Sequence, residues 1–405
     1  MNDPSTMPDT LSRRCILEVN LDSLHHNLQC IQSTADKIGS HIMAVIKANA
    51  YGHGAIRIAT ECLKHDVRFF GVATVAEAIE LRQCPGLGVE DDVRILVFDA
   101  VAPAEFQQYA THHLDLMLSG PKSLDSLQRW TRDNLGADEH LKVHCMVDTG
   151  MTRIGFRVDE ALHGLRALSQ NAGRLHLEGV CTHFADALNR EYTLKQLRRF
   201  EQIMCSVRDE DIDVPMVHCA NSNALMGDML DTKLLTSMMG SNTKMYVRVG
   251  GSLYGSTVGD VELRYLSTLK AQIRHLTEVC EGTPVGYGQV WVASENATIA
   301  TITCGYADGY PFDMSQQRDA VRIGDERYDI AGRVCMDTMM LYLGPTKNTK
   351  IKVGDYVVLW GPKQQHKANL DLEGMSDRMG ERDRVYSLFC SVNFKRVHLM
   401  YTNDE

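Results

Sequence analysis

Ile42-Met43-Ala44-Val45-Ile46-Lys47-Ala48-Asn49-Ala50-Tyr51-Gly52-His53-Gly54 is the stretch from which the rest of the chain can be read. Its apolar start reads as a buried strand. The run ends in an amine, a glycine-rich turn follows, and residues 55–63 take up helical spacing. Strand, polar strand end and helix form the repeating unit of an α/β barrel, whose working face lies at the C-terminal ends of its strands. Burial lowers a lysine's pKa, so its amine can become a nucleophile toward an aldehyde. A lysine that merely snorkels from a strand end is the plain alternative.

Outward from this stretch, apolar runs recur at 42–46, 69–73, 93–97, 114–118, 141–147, 175–182, 214–219 and 246–249, eight in all, with helical stretches between them, clearest at 75–82, 123–130 and 194–207. Residues 16–21 also read as a strand, after which Leu21, Leu24, Leu28 and Ile31 share one helical face. Eight strand–helix units predict a TIM (β/α)8 barrel, a fold of ~250 residues. A doubly wound sheet is the rival, but no G-x-G-x-x-G follows an early strand. Beyond about residue 256 the texture changes to short strands at 266–275, 297–304, 321–323, 328–331, 339–343 and 356–360, with helical spacing again only at 375–379. The expected fold class is therefore α/β: a barrel over 15–255 followed by a β-rich C-terminal domain over 256–405, with a polar segment, 1–14, in front. The run 16–20 is a candidate to pair with the second domain instead of the barrel.

The bulk composition narrows the class. The chain has 405 residues, 44% hydrophobic and 23% charged, as ordinary globular proteins do. Its net charge of −10 and the lack of a basic stripe argue against nucleic acid as a partner. No run of ~18 apolar residues predicts a membrane span. The polar start has no apolar signal core, so a cytoplasmic protein is expected. The 12 cysteines are scattered, with no C-x-x-C pair, which predicts reduced, buried thiols rather than disulfides or a metal site.

Polar clusters fall where barrel strands end: Asp148-Thr149-Gly150-Met151-Thr152-Arg153, Cys181-Thr182-His183, His218-Cys219-Ala220-Asn221-Ser222, and Tyr246-Val247-Arg248-Val249-Gly250-Gly251-Ser252-Leu253-Tyr254. Singly, a histidine there is a satisfied structural residue and an arginine a surface ion pair. In phase with one face, the clusters predict one shared site. Gly250-Gly251 lets backbone N–H groups approach an anion, and the hydroxyls of Ser222 and Tyr51 can join them.

The string from Val45 to Gly54 closely resembles the cofactor-lysine motif of alanine racemases, which are pyridoxal-phosphate (PLP) enzymes of the barrel class. The likeness continues in the same order through Arg153, His183, Ser222, Arg248, Gly250, Tyr306 in Cys304-Gly305-Tyr306-Ala307-Asp308-Gly309-Tyr310-Pro311, and Gly332-Arg333-Val334-Cys335-Met336-Asp337. It implies an enzyme that interconverts L- and D-alanine and works as a homodimer with shared sites, where Tyr306 and Met336 reach the partner's Lys47. The cofactor set it implies is Lys47, Tyr51, Arg153, His183, Asn221, Ser222, Arg248, Gly250, Gly251 and Tyr254, with Tyr386 as a loosely matched phosphate tyrosine. Arg153, Met336 and Asp337 fall to the substrate, and Lys47 and Tyr306 are the expected catalytic pair. Racemisation needs a base on each face of a planar carbanion, and a phenol with pKa ~10 serves only beside cations such as Arg248, with His183 as relay. An arginine only donates, so a ring nitrogen facing Arg248 stays neutral, which favours proton exchange at the α-carbon over transamination.

Two departures from the family pattern stand out. Met146 occupies the place where family members often carry a lysine that bonds the arginine, so Arg153 must be oriented another way. The segment 227–244 before Arg248 is polar, methionine-rich and long. A serine or broader-specificity racemase, a non-catalytic PLP-binding barrel, and a barrel decarboxylase remain as alternatives. The last would need a catalytic cysteine motif that is not found, and single-domain binding barrels lack Tyr306 and its domain.

Overall fold

A computed structural model describes residues 15–136, 138–170, 173–256, 259–346, 350–362, 372–379 and 385–403. The chain divides into two compact units, one of Leu24–Leu263 and one that joins the segment up to Ser23 to the chain from Arg264 onward. Among the described residues no helix is long and apolar enough to cross a membrane.

The first unit is a closed parallel barrel. Its strands are Ser40–Val45, Phe69–Val72, Arg94–Val97, Asp115–Leu118, Leu141–Asp148, Leu175–Cys181, Met216–Asn221 and Lys244–Val249. Each pairs in parallel with the next, and Lys244–Val249 returns to Ser40–Val45 to close the ring. Helices follow the strands, among them Ala55–Leu63, Val75–Arg82, Pro121–Asn134, Val158–Gln170 and Arg190–Asp209. All eight expected apolar runs are barrel strands, because continuous apolar sequence suits a strand covered on both faces.

The barrel interior is filled by one residue from each strand: Met43, Phe69, Leu96, Met117, Met146, Cys181 and Met216, with Tyr246 packed against them. Met146, the departure from the family pattern, belongs to this layer. The Cys181 thiol lies 3.5 Å from the Met117 sulfur and 3.6 Å from the Met146 sulfur. Side chains two apart on a strand share a face, so Asp115, His144, His218 and Arg248 point inward with their neighbours Met117, Met146, Met216 and Tyr246. The segment 227–244, expected as a loop, holds the short helix Thr232–Ser237, whose N-terminus is capped by Asp231.

In the second unit, eight strands form one sheet. Cys15–Asn20 pairs antiparallel with Ser267–Val279 and parallel with His398–Thr402. The remaining strands are Ala297–Ile302, Val321–Ile323, Glu326–Ile330, Met339–Pro345 and Tyr356–Trp360, joined by antiparallel ladders. Residues 16–20 thus belong to the β-rich unit and not to the barrel.

Candidate active site

Lys47 stands one residue beyond the strand Ser40–Val45 and opens a turn of unusual backbone. Ala48, Asn49, Ala50 and Tyr51 all have φ between 51° and 54°, a left-handed turn built from residues that are not glycine. The expectation of a glycine-rich turn is corrected here: Gly52 and Gly54 only close it. Left-handed helix costs ~1–2 kcal/mol per residue, so the surroundings must hold it. Glu77 does so by accepting from the Ala48 amide at 2.7 Å and the Ala73 amide at 2.8 Å, while Asn49 Oδ1 accepts from the Ala55 amide at 2.9 Å. The result presents the half-buried Lys47 at the barrel mouth.

Arg248 sits on the neighbouring strand, in register with Met43. Its Nη1 donates to His218 Nδ1 at 2.7 Å and to the His218 carbonyl, and its Nη2 donates to His183 Nδ1 at 3.0 Å and to the Thr182 carbonyl at 2.6 Å. The guanidinium is buried and pinned in place. His183 feels three cations at once. Burial first, then the charges of Arg248, Arg153 and Lys47, depress its pKa to about 3.

Just beyond the ends of the strands that carry His218 and Arg248, Ser222 Oγ accepts from the Gly250 amide at 3.0 Å, the Ser252 amide at 3.2 Å and the Ser252 hydroxyl at 3.0 Å. A Cβ at Gly250 would stand 2.8 Å from Tyr51 Oη, so glycine lets the Tyr51 hydroxyl lie close against this turn. Tyr254 donates its hydroxyl to the Val45 carbonyl at 3.0 Å, and its ring stacks on His53 with centroids 4.8 Å apart. It thereby braces the strand that carries Lys47. Asn221 caps the following helix, accepting from the Ala224 amide at 3.0 Å.

Arg153 is exposed and rides on a loop tied down at both ends. Asp148 Oδ1 accepts from the Gly150 and Thr152 amides at 3.0 and 2.9 Å. Buried Gln196 bonds Thr149 Oγ1 at 3.2 Å and the His183 carbonyl at 3.0 Å, so one amide joins the Arg153 loop to the His183 strand end. Sequence reasoning missed Glu77 and Gln196 and gave Ser252 no role beyond its place in the Tyr246–Tyr254 cluster. Glu77 left a signal of its own, as the third residue after the N-cap Thr74.

Tyr306, Met336 and Asp337 lie in the β-rich unit. The Tyr306 amide donates to the Cys335 carbonyl at 3.0 Å and the Ala307 amide to the Met336 carbonyl at 3.0 Å, which joins the two expected loops. Arg396 clamps them from behind, reaching Asp308 at 2.7 Å and Asp337 at 2.6 Å. Tyr306, Phe312 and Met336 stand 45%, 49% and 52% exposed, forming an outward apolar patch. Tyr386 falls on the helix Val385–Ser391, and its side chain lies outside the described residues.

Burial makes the barrel mouth acid-sensitive. It lowers His53 to about 4 and, with the nearby cations, His183 to about 3. Both are neutral in the folded state but protonate near 6.5 once unfolded. The unfolded chain then binds more protons, so stability is full above pH ~6.5 and falls as pH drops toward the folded values. Each such histidine removes roughly 1.4 kcal/mol per pH unit in that window. Thermal unfolding followed at about pH 7.5 and about pH 5 is expected to show a Tm lower by several degrees at the acid end, and an unchanged Tm would contradict these neutral imidazoles.

A closed barrel with its polar side chains gathered at the C-terminal strand ends is the architecture of a (β/α)8 enzyme. The family model for the alanine racemase N-terminal domain matches residues 19–258, and that for the alanine racemase C-terminal domain matches residues 266–401. An alanine racemase of Halothermothrix orenii is 32% identical over 409 residues, covering 98% of this chain and 99% of that one. One from Methanococcus maripaludis is 30% identical over 400 residues, covering 94% and 98%. The solved alanine racemase of Clostridium difficile 630 has a TM-score of 0.82 at 29% identity, covering 98% of this chain and 97% of that one. The chain belongs to the alanine racemase family.

Proposed function

We propose that this chain is a PLP-dependent isomerase that interconverts L- and D-alanine, acting as a homodimer in which each subunit completes the other's site. A cytoplasmic location belongs to the same reading. The observation that carries it is Arg248, a donor-only cation locked into the same barrel mouth as Lys47 by contacts to His218 and His183. The mouth suits PLP: the hydroxyls of Tyr51, Ser222 and Ser252 gather at Gly250, where they would meet a phosphate, and Lys47 offers an amine for an aldehyde. When bound, PLP supplies a conjugated ring that takes up the electron pair left as the α-proton departs.

The residues divide the remaining work. Both terminal nitrogens of Arg248 are committed to protein acceptors, so among the described residues Nε–H is the donor left for a ring nitrogen. A guanidinium only donates, so it would leave that nitrogen unprotonated. Lys47 Nζ is the base placed to take or return the α-proton on one face. Tyr306 of the partner subunit serves the opposite face through its hydroxyl. Arg153, exposed at the rim, is left to meet the substrate carboxylate, with Met336 and Asp337 bounding the pocket from the partner side.

The direct test incubates the purified protein with PLP and single enantiomers of a panel of amino acids, and resolves the products by chiral chromatography. Alanine is expected to reach an equal mixture from either side. Faster conversion of serine would move the reading to a broader racemase, and no conversion of any amino acid would leave a binding protein.

A further inference from the structure

We propose that Asp115 and His144, deep in the barrel interior, are positioning residues that hold the His218 ring and through it the orientation of Arg248. The inference rests on the functional reading above for its effect on turnover, but its structural content stands by itself.

The polarity of the chain follows from its two ends. Arg248 can only donate, so His218 Nδ1, 2.7 Å from Nη1, must accept. A neutral imidazole that accepts at Nδ1 carries its proton on Nε2. That atom lies 2.9 Å from His144 Nδ1, which therefore accepts in turn. His144 is left with its proton on Nε2, facing Asp115 Oδ2 at 3.2 Å. A carboxylate accepts only, so the far end agrees with the near one. Arg94 anchors that end by donating to Asp115 through Nε at 3.0 Å and through Nη2, and it pairs with Glu178 at 2.9 Å. All hydrogens in the series point the same way, and reversing one bond would set two N–H groups against each other.

Strand geometry makes the reach possible. The strand Leu175–Cys181 lies between those carrying His144 and His218. Its inward position beside them is Gly179, where a Cβ would come within 2.6 Å of His144 Nδ1. Glycine there is the gap through which the two imidazoles touch. Burial lowers the pKa of both histidines, in keeping with neutral rings.

The test uses the PLP-loaded full chain with 15N-labelled histidine, read by long-range proton–nitrogen correlation at neutral pH, with each ring assigned from a His→Gln variant. His144 and His218 are both expected as neutral Nε2–H tautomers. Asp115→Asn, which removes the charge that His144 faces, and Gly179→Ala, which drives a Cβ toward His144 Nδ1, are each expected to shift the His144 and His218 ring-nitrogen signals and to lower kcat roughly 10- to 100-fold with less change in KM. Two variants guard against a folding failure in one, and the wild-type spectrum needs neither. An Nδ1–H or doubly protonated His218 in the wild type overturns the proposal, as do unshifted ring-nitrogen signals with unaltered kcat in both variants. Should the wild-type tautomers be as stated but no amino acid be racemised, the functional reading fails and the hydrogen-bond polarity stands.

Discussion

Lys47→Ala is expected to abolish racemisation, by at least about 10³-fold, the scale set by losing a positioned base. It should also remove the covalent attachment point of the cofactor. Reduction of the PLP-loaded protein with borohydride, followed by intact mass measurement, is expected to add one pyridoxyl group to the wild type and none to the variant. The structure gives Lys47 a fixed place from which to act. Lys47 is held at the mouth by a left-handed turn that Glu77 and Asn49 pin from both sides. A pyridoxyl group retained in Lys47→Ala would remove Lys47 from its assigned place.

Tyr306→Phe is expected to have the second-largest effect, slowing conversion by ~10²–10⁴-fold. Equilibrium requires that kcat/KM fall by the same factor in both directions, so conversion rates alone cannot identify the lost base. Exchange of the α-hydrogen with solvent deuterium can. With Tyr306 gone, Lys47 should still exchange the α-hydrogen of one enantiomer without inverting it, while exchange from the other collapses. Equal loss of exchange from both would discard the two-base scheme. Mixing Lys47→Ala chains with Tyr306→Phe chains tests the shared site, because a mixed dimer rebuilds one complete pair. The exposed patch of Tyr306, Phe312 and Met336 is what a partner subunit would cover. Inactive mixed dimers, verified as such, would count against sharing.

Much of this could be read from local pattern. Each barrel strand showed itself as an apolar run because a strand covered on both faces needs nothing but apolar side chains. Helix Val75–Arg82 was likewise visible from its spacing, though its capping box in Thr74 and Glu77 went unread. Elements that owe their existence to a neighbour were not visible. The strand His398–Thr402 is fixed by pairing with Cys15–Asn20, nearly the whole chain away. The two-residue strands Pro284–Val285 and Trp291–Val292 exist only as each other's partners. His144 is one polar residue inside an apolar run, and Asp115 is a charge at a strand start. Counting inward by twos from Met146 and Met117 would have placed both inside the barrel, but no local signal says that they meet.

By itself, then, the order of residues determined the eightfold alternation, the lysine at the end of its strand and the β-rich second half, because periodicity and strand ends are properties of a few consecutive side chains. Tertiary structure alone decided that Met146 joins a sulfur-lined layer, that four non-glycine residues after Lys47 turn left-handed, and that Gly179 leaves room for two histidines to touch. Those outcomes depend on which side chains closure of the barrel brings face to face, and strand register across a closed ring is set by all eight strands together.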